Sequence, residues 1–163
     1  MKTEFGGSYM KKMFVALLAL AVLVLSTCTK NIQSADLSHI TFNGVSIGDN
    51  FEQINTDEYT VKQNVSNHYA YNFEEWRISI DNGIITDIMA SFGQASISIN
   101  GKENCGSIDE IIAILGEKYN SSWYDREQSL MQIQYSDKDN GIRCAFVYDK
   151  NSDNLVWGIM QVA

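Results

Sequence analysis

Hydrophobic and polar residues alternate with a period of two along several stretches of the chain. Trp76-Arg-Ile-Ser-Ile80 is one of them. The turn signal Asp81-Asn82-Gly83 follows, and then a returning strand over 84–89. Stretches 131–135, 142–148 and 155–161 alternate in the same way, separated by polar turns at 137–141 and 149–154. One stretch has the helical period instead. Ile108, Ile111, Ile112 and Leu115 fall at i, i+3, i+4 and i+7, which makes a single apolar stripe. Ser107 with Glu110 predicts a capping box at its start, and Gly116 a left-handed cap at its end.

The two halves of the chain repeat each other. Ile40-Thr-Phe-Asn-Gly44-Val-Ser-Ile-Gly-Asp-Asn-Phe-Glu-Gln-Ile54 aligns without gaps on Ile97-Ser-Ile-Asn-Gly101-Lys-Glu-Asn-Cys-Gly-Ser-Ile-Asp-Glu-Ile111, at an offset of 57 residues. In each copy a strand ends in Asn-Gly, a loop follows and a helix begins. The first copy offers Asn50 with Gln53 as a weaker box, and Phe51 with Ile54 on the matching face. That predicts a helix of a turn or two. Both copies close on strands, Asp81-Asn-Gly-Ile-Ile-Thr-Asp-Ile-Met89 being similar to Asp153-Asn-Leu-Val-Trp-Gly-Ile-Met160. The expected fold is α+β: two tandem β-α-β-β(-β) units, about 38–95 and 96–163, forming a mostly antiparallel sheet with helices covering one face.

Ser107-Ile-Asp-Glu-Ile-Ile-Ala-Ile-Leu-Gly116, then Trp123, then Ile142-Arg-Cys-Ala-Phe-Val-Tyr-Asp149 and a last strand over 156–160 resemble the repeat of β-lactamase-inhibitor-protein-like domains. The pattern is similar also to the small lipoprotein subunit of the outer-membrane β-barrel assembly machine. The resemblance spans about 40–162 and is closer in the second half. It implies a capped helix followed by three meandering strands, and protein binding through the sheet face. It carries over no binding residues.

The N-terminus is of another kind. Lys11 and Lys12 precede Met13-Phe-Val-Ala-Leu-Leu-Ala-Leu-Ala-Val-Leu-Val-Leu25, an apolar run of 13 residues without a polar face. A helix crossing a bilayer needs about 20 residues, whereas this length suits the core of a signal peptide. Leu25-Ser26-Thr27-Cys28 resembles the lipobox of bacterial lipoproteins, with Thr27 bulkier than the usual residue before the cysteine. The resemblance implies cleavage before Cys28 and thioether lipidation of its sulfur. Residues 1–27 then form the signal peptide, with Met10 as an alternative start, and 28–36 the lipidated cysteine and a polar tether. Two acyl chains anchor a protein stably where one does so marginally, at ~0.8 kcal/mol per buried methylene. The partner expected first is therefore a membrane, reached through lipid at its extracytoplasmic side.

Charge narrows the other partners. Removing 1–27 takes away three Lys and Glu4, so 12 basic and 20 acidic residues become 9 and 19, a net charge of −10. Nucleic acid, which calls for a basic footprint, is excluded as the expected partner. There is no Pro, while Asn and Ile occur 14 and 18 times, a composition associated with low-GC, Gram-positive organisms. The remaining cysteines, Cys105 and Cys144, read equally as a disulfide, permitted outside the cytoplasm, or as two separate buried thiols.

Catalytic chemistry is sparse. Asp149-Lys-Asn151-Ser-Asp153-Asn154 opens like a calcium loop, but the sixth position is not Gly and the twelfth is Met160 instead of Glu. His39 and His68 have no zinc-ligand spacing around them, and no phosphate-loop, dinucleotide or nucleophile-elbow motif occurs. No metal, cofactor or catalytic residue is expected. Most aromatics read as core. Trp123 and Tyr124, in a Ser-Ser-Trp-Tyr-Asp loop, read alternatively as an exposed binding rim, because Trp and Tyr are common interface anchors. The reading that follows is a lipid-anchored, non-catalytic protein-binding module. The alternative is a proteinaceous inhibitor of an extracellular hydrolase, and an envelope enzyme comes third.

Overall fold

Each alternating stretch is a strand, and together they make far more sheet than the sequence pattern implied. The computed structural model describes residues 34–61 and 69–163. The chain divides into two units, Met1–Asn31 and Ile32–Ala163. The first unit, with the expected signal peptide and Cys28, lies outside the described residues, as do 62–68 with His68.

In chain order the described elements are β1 Ile40–Phe42, two 3-10 turns at Phe51–Gln53 and Thr56–Glu58, β2 Tyr71–Asn72, β3 Trp76–Asp81, β4 Ile84–Ser91, β5 Ile97–Ile99 and β6 Lys102–Glu103. Then come the helix α1 Ile108–Leu115, β7 Asn120–Asp125, β8 Leu130–Asp137, β9 Ile142–Asp149 and β10 Leu155–Val162. A small sheet has the order β1-β5-β6, and a seven-stranded sheet the order β2-β3-β4-β10-β9-β8-β7. All named pairings are antiparallel.

The expected α+β class is therefore corrected. The fold is mostly β, 50% strand against 11% helical, and helices do not cover a sheet face. The first copy's helix start stops as two 3-10 turns. Asn50 does cap the first, its side-chain oxygen accepting from Glu52 N at 2.9 Å. The residues that follow, Asn55-Thr-Asp-Glu-Tyr-Thr60, are poor helix formers that favour caps and turns. The second copy's helix forms over eight residues, and Gly116 ends it at φ +81°. Its capping box does not form, because Ser107 makes no side-chain cap bond. The amide of Ile108 donates instead to Asp153 O in the β9–β10 loop (3.1 Å), and Glu110 pairs with Lys102 at 3.1 Å.

The duplication is built into the strand register. β1 pairs with β5 as Ile40 with Ile99, Thr41 with Ser98 and Phe42 with Ile97. At the sequence offset of 57, that is each strand against its own copy across a local two-fold at Thr41 and Ser98. Asn43-Gly44 and Asn100-Gly101 turn identically, with φ values of +50° and +77° in one and +51° and +80° in the other, a two-residue geometry that suits Asn-Gly.

The last strands repeat as well, although not as the sequence comparison aligned them. β4 buries Ile85, Ile88 and Ala90, and β10 buries Leu155, Gly158 and Met160. Their numbers differ by 70 throughout. The ladder skips Thr86 in β4 and Val156 in β10, again 70 apart. β4 and β10 lie side by side in mid-sheet, with Met89 opposite Ile159. The offset grows from 57 to 70 along the copies because the second has longer connections, where insertions cost least.

One face of the large sheet is the core. Trp76, Ile78, Ile88, Cys144, Phe146 and Met160 are 0–1% exposed and pack with Ile40, Phe42, Ile97 and Ile99 of the small sheet and with Ile111 of α1. Gly158 brings the two sheets together. A Cβ there would lie 2.5 Å from Cε1 of Phe42, so only a bare backbone admits the ring. Tyr135 is fully buried and donates from its hydroxyl to Gly116 O at 2.7 Å. That bond fixes the end of α1 to β8, and burial pushes the phenol's pKa well up.

Candidate functional site

The opposite face of the seven-stranded sheet is where the structure gathers the unexplained side chains. Strand alternation decides which residues it presents. With Cys144, Phe146, Gly158 and Met160 turned inward, Arg143, Ala145, Trp157, Ile159 and Gln161 turn outward. Gln132 and Gln134 on β8, Met89 and Asp87 on β4 and Arg77 on β3 share that side. The small sheet, α1 and the 3-10 turns all contribute to the core on the inner side. Away from the turns, the charged residues at outward strand positions are Arg77, Asp87 and Arg143, two positive and one negative, on a chain whose formal net charge is −8. Further carboxylates stand at the borders of the face, Glu74 and Glu75 beside Arg77, Met89 and Trp157. The remaining composition is Trp, Tyr, Met, Gln and Ser with the aliphatic Ala145, Val147 and Ile159.

Tyr124 stands at one end of this face, whereas Trp123, opposite Met131 in the register, shares the other side with Ser121 and Ile133 and is exposed at the sheet edge. The pair expected in a loop is in β7, the edge strand. The register shifts between Trp123 and Asp125, which leaves Tyr124 as the extra residue of a bulge. Bulges re-aim side chains. Here the Tyr124 ring lies 5.6 Å from that of Trp157. Both rim residues are exposed, Trp123 by 37% and Tyr124 by 42%. Lys150 Nζ lies 4.8 Å and Arg126 Cζ 5.8 Å from the Trp123 ring centroid. Such contacts contribute about 0.5–1 kcal/mol at exposed sites, enough to hold an indole that solvent would otherwise leave free. Val147, between Trp157 and Gln132 in the register, is fully buried, so this end carries a small apolar cluster.

Tyr69 reaches the other side of the face. Its hydroxyl bonds to Asp87, and burial first, then the Asp87 charge, raise its pKa to about 12 against the opposing pull of Arg77. The phenol is neutral across the physiological range.

The far end of the sheet receives the N-terminal segment. Ala35 N–H donates to Ser136 O (2.9 Å), Leu37 N–H to Asp137 Oδ2 (3.0 Å), and Lys138 N–H to Ser34 Oγ (2.9 Å). Ser34 and Ala35, inside the stretch read as tether, are thus bonded to the fold. Asp137 is 2% exposed and accepts from Asn140 Nδ2, Asn140 N and Asp139 N as well. Burial opposes its charge, but these donors outweigh burial and hold the carboxyl below its ordinary pKa. β8 separates this corner from the Trp123 end by about 24 Å, at ~3.4 Å per residue.

The other expected positions are accounted for individually. Cys105 and Cys144 are free thiols, both buried, so the disulfide weighed for them is not formed and they serve as small packing groups. Burial raises the pKa of each, which suppresses thiolate chemistry. Asp149 accepts from Asn151 N at 2.7 Å as a turn residue, and among the described residues no group of three or more His, Cys, Asp or Glu could hold a metal ion. A cavity of about 420 Å³ beside Asn43 and Tyr59 contains Asp49 and Glu58. Both are already bonded, to Ser46 N (2.7 Å) and to Asn55 Nδ2 (2.8 Å). Among the described residues no helix is long and apolar enough to cross a membrane.

Sequence reasoning missed Trp157, Arg143 and the three Gln on the outer face. The signal was present. Arg143 and Ala145 alternate out of phase with Ile142, Cys144 and Phe146, which marks them as the opposite face of a strand that is buried on one side. Neither family models nor curated proteins nor solved structures contain a match to this chain.

Proposed function

We propose that this chain is a lipoprotein, anchored through Cys28 on the extracytoplasmic side of a membrane, whose folded unit is a non-catalytic protein-binding module. One observation carries the binding part. The outer sheet face combines exposed aromatics, Met, Arg and Gln with few charges, whereas acidic residues outnumber basic ones by 20 to 12 over the chain. Interface cores have this character, enriched in aromatics, Met and Arg and depleted in Asp, Glu and Lys. The anchor rests on the basic, apolar and lipobox pattern of residues 11–28.

Site-specific photo-crosslinking in intact cells tests the binding part. A benzophenone at Met89 or Gln134 is expected to trap a discrete protein partner, and one at Glu103 on the small sheet is not. Equal trapping from all three positions, or none from the outer face, would overturn the reading. The anchor has a separate test. Cys28→Ala should abolish incorporation of labelled fatty acid and release the protein from the membrane fraction.

A second reading, inhibition of an extracellular hydrolase, is favoured by the exposure of Trp123 and Tyr124. The purified protein would then lower the activity of a β-lactamase or wall hydrolase stoichiometrically, and Trp123→Ala would relieve it.

A further inference from the structure

The outer face holds a depression with its own chemistry. Ala145 lies in register between Ile159 on β10 and Gln134 on β8. A methyl group flanked by longer side chains leaves a dip in a sheet surface. The dip is a cavity of about 220 Å³ lined by Gln132, Gln134, Arg143, Ala145, Ile159 and Gln161. Ala145 and Ile159 make an apolar floor, while one guanidinium and three carboxamides make the wall. Gln161 stands directly across from Arg143, and Gln132 is held in place by donating from Nε2 to Ser122 Oγ at 3.0 Å.

Arg143 is the unusual member. The chain has 20 carboxylate side chains for 12 cations, so a surface Arg has many potential partners. Among the described residues the one ion pair is Lys102 with Glu110. Arg143 is exposed and, among the described residues, has no carboxylate within 4.0 Å. Its fork of donors faces solvent beside amides that can donate in parallel.

We infer that this depression is a carboxylate subsite, taking the side chain of a Glu or Asp presented by a protein partner. The inference rests on the reading of the outer face as a docking surface and adds the chemistry of one contact. A guanidinium matches a carboxylate with two parallel N–H···O bonds. The neighbouring carboxamides can bond the remaining lone pairs, and the apolar floor receives the methylene stem. The size points to a side chain, because pockets for whole small molecules start at roughly 300 Å³. The lining itself carries no carboxylate, which suits a negative residue on the partner.

The test uses the full chain in detergent micelles, ¹⁵N-labelled, titrated with the capped tripeptide acetyl-Ala-Glu-Ala-amide. Saturable shifts of the Arg143 Nε–H and of the Gln134 and Gln161 side-chain amides are expected, with a Kd on the order of 1–10 mM, the strength of a single contact of about 3–4 kcal/mol. Affinity should fall about fivefold in 0.5 M NaCl through screening. Arg143→Gln should abolish the response, Arg143→Lys should weaken it by losing the fork, and Lys118→Gln, at an exposed position outside the depression, should leave it intact. No saturation by 50 mM, an equal response to acetyl-Ala-Gln-Ala-amide, or tighter binding of inorganic phosphate at the same amides would overturn the subsite. The two readings fail separately. A partner crosslinked from Met89 with equal yield in wild type and Arg143→Gln overturns the subsite and leaves the docking face standing. Peptide binding without any crosslinked partner upholds the subsite and overturns the docking face.

Discussion

The two copies of the duplicated unit share their strands and differ in what fills the space beneath them. In the second copy an eight-residue helix lays Ile108 and Ile111 on the sheet. In the first, two 3-10 turns are too small for that role, and aromatic rings occupy the volume. Phe51 stacks on Tyr71 at 4.3 Å, Tyr59 meets Trp76 at 5.0 Å and Phe73 at 5.3 Å, and Phe73 lies 5.7 Å from Trp76. Equivalent sheet positions compensate. Trp76 pairs with Ala90 in β4, and Cys144 with Met160 in β10, at matching places in the two ladders. One pair further along the relation reverses, Ile78 with Ile88 standing where the second copy has Phe146 with Gly158, so a large residue on one strand faces a small one on its neighbour. Interiors are close-packed, so a large side chain in one copy is matched by small neighbours across the ladder in the other.

The largest test of this exchange is a pair of substitutions. Trp76→Ala should destabilise by about 3–5 kcal/mol, as expected for a buried aromatic with little chance of local collapse. Cys144→Ala, at the matching place, should cost about 1 kcal/mol, near the value of a single buried methylene-sized group. Urea unfolding of both variants decides it, and similar losses would break the comparison.

Next, Ile111→Ala should cost about 2–5 kcal/mol and lower helical ellipticity, because α1 is held mainly by its buried stripe. Asp137→Asn probes a feature that only the second copy has, a β8–β9 turn that receives the N-terminal segment. Its loss should be about 1.5–3 kcal/mol at pH 7, the range for hydrogen bonds to a charged group. The native pKa of Asp137 lies below that of the unfolded chain. Its contribution is therefore complete above the ordinary carboxylate range near pH ~4, and it is lost as pH falls through the lower native value. Stability curves of wild type and variant should converge in acid, and parallel curves down to pH ~2 would show that Asp137 is not the staple.

The last test is at the junction of the copies. Gly158→Ala places a methyl against Phe42 and should cost about 1–3 kcal/mol by overpacking. Phe42→Leu should then recover part of that loss in the double variant. If the two losses simply add, the rings and the central strand are not coupled as the 2.5 Å approach implies.

Much of the strand layout was legible. Trp76-Arg-Ile-Ser-Ile80 and Ile142-Arg-Cys-Ala-Phe alternate because one face is buried, and that period survives in a one-dimensional record. The Asn-Gly turns were legible for a similar reason, since positive φ at two successive residues limits the choice of side chains. The first helix was not. Asn50 and Phe51 look like a helix start, and whether a start propagates depends on what packs on it. The end of the duplication was misaligned because Asp81-Asn82 and Asp153-Asn154 match as turn residues, whereas the structural equivalence follows burial and the skipped Thr86 and Val156. Arg143 and its amides went unread as a site because sequence places them on a face without saying which other strands contribute to it.

By itself the sequence determined the periodic elements, the duplicated hairpins, the acidic balance and the distinct apolar N-terminal run, all of them properties of local order or of composition. Only the tertiary structure decided that the copies meet through β1 with β5 and β4 with β10, that the cysteines stay apart, and that rings replace a helix beneath the first copy. It also decided that Gln132, Gln134, Arg143 and Gln161 surround one alanine. These are contacts between residues distant in the chain, and their selection depends on volume and register across strands, which no single stretch of sequence encodes.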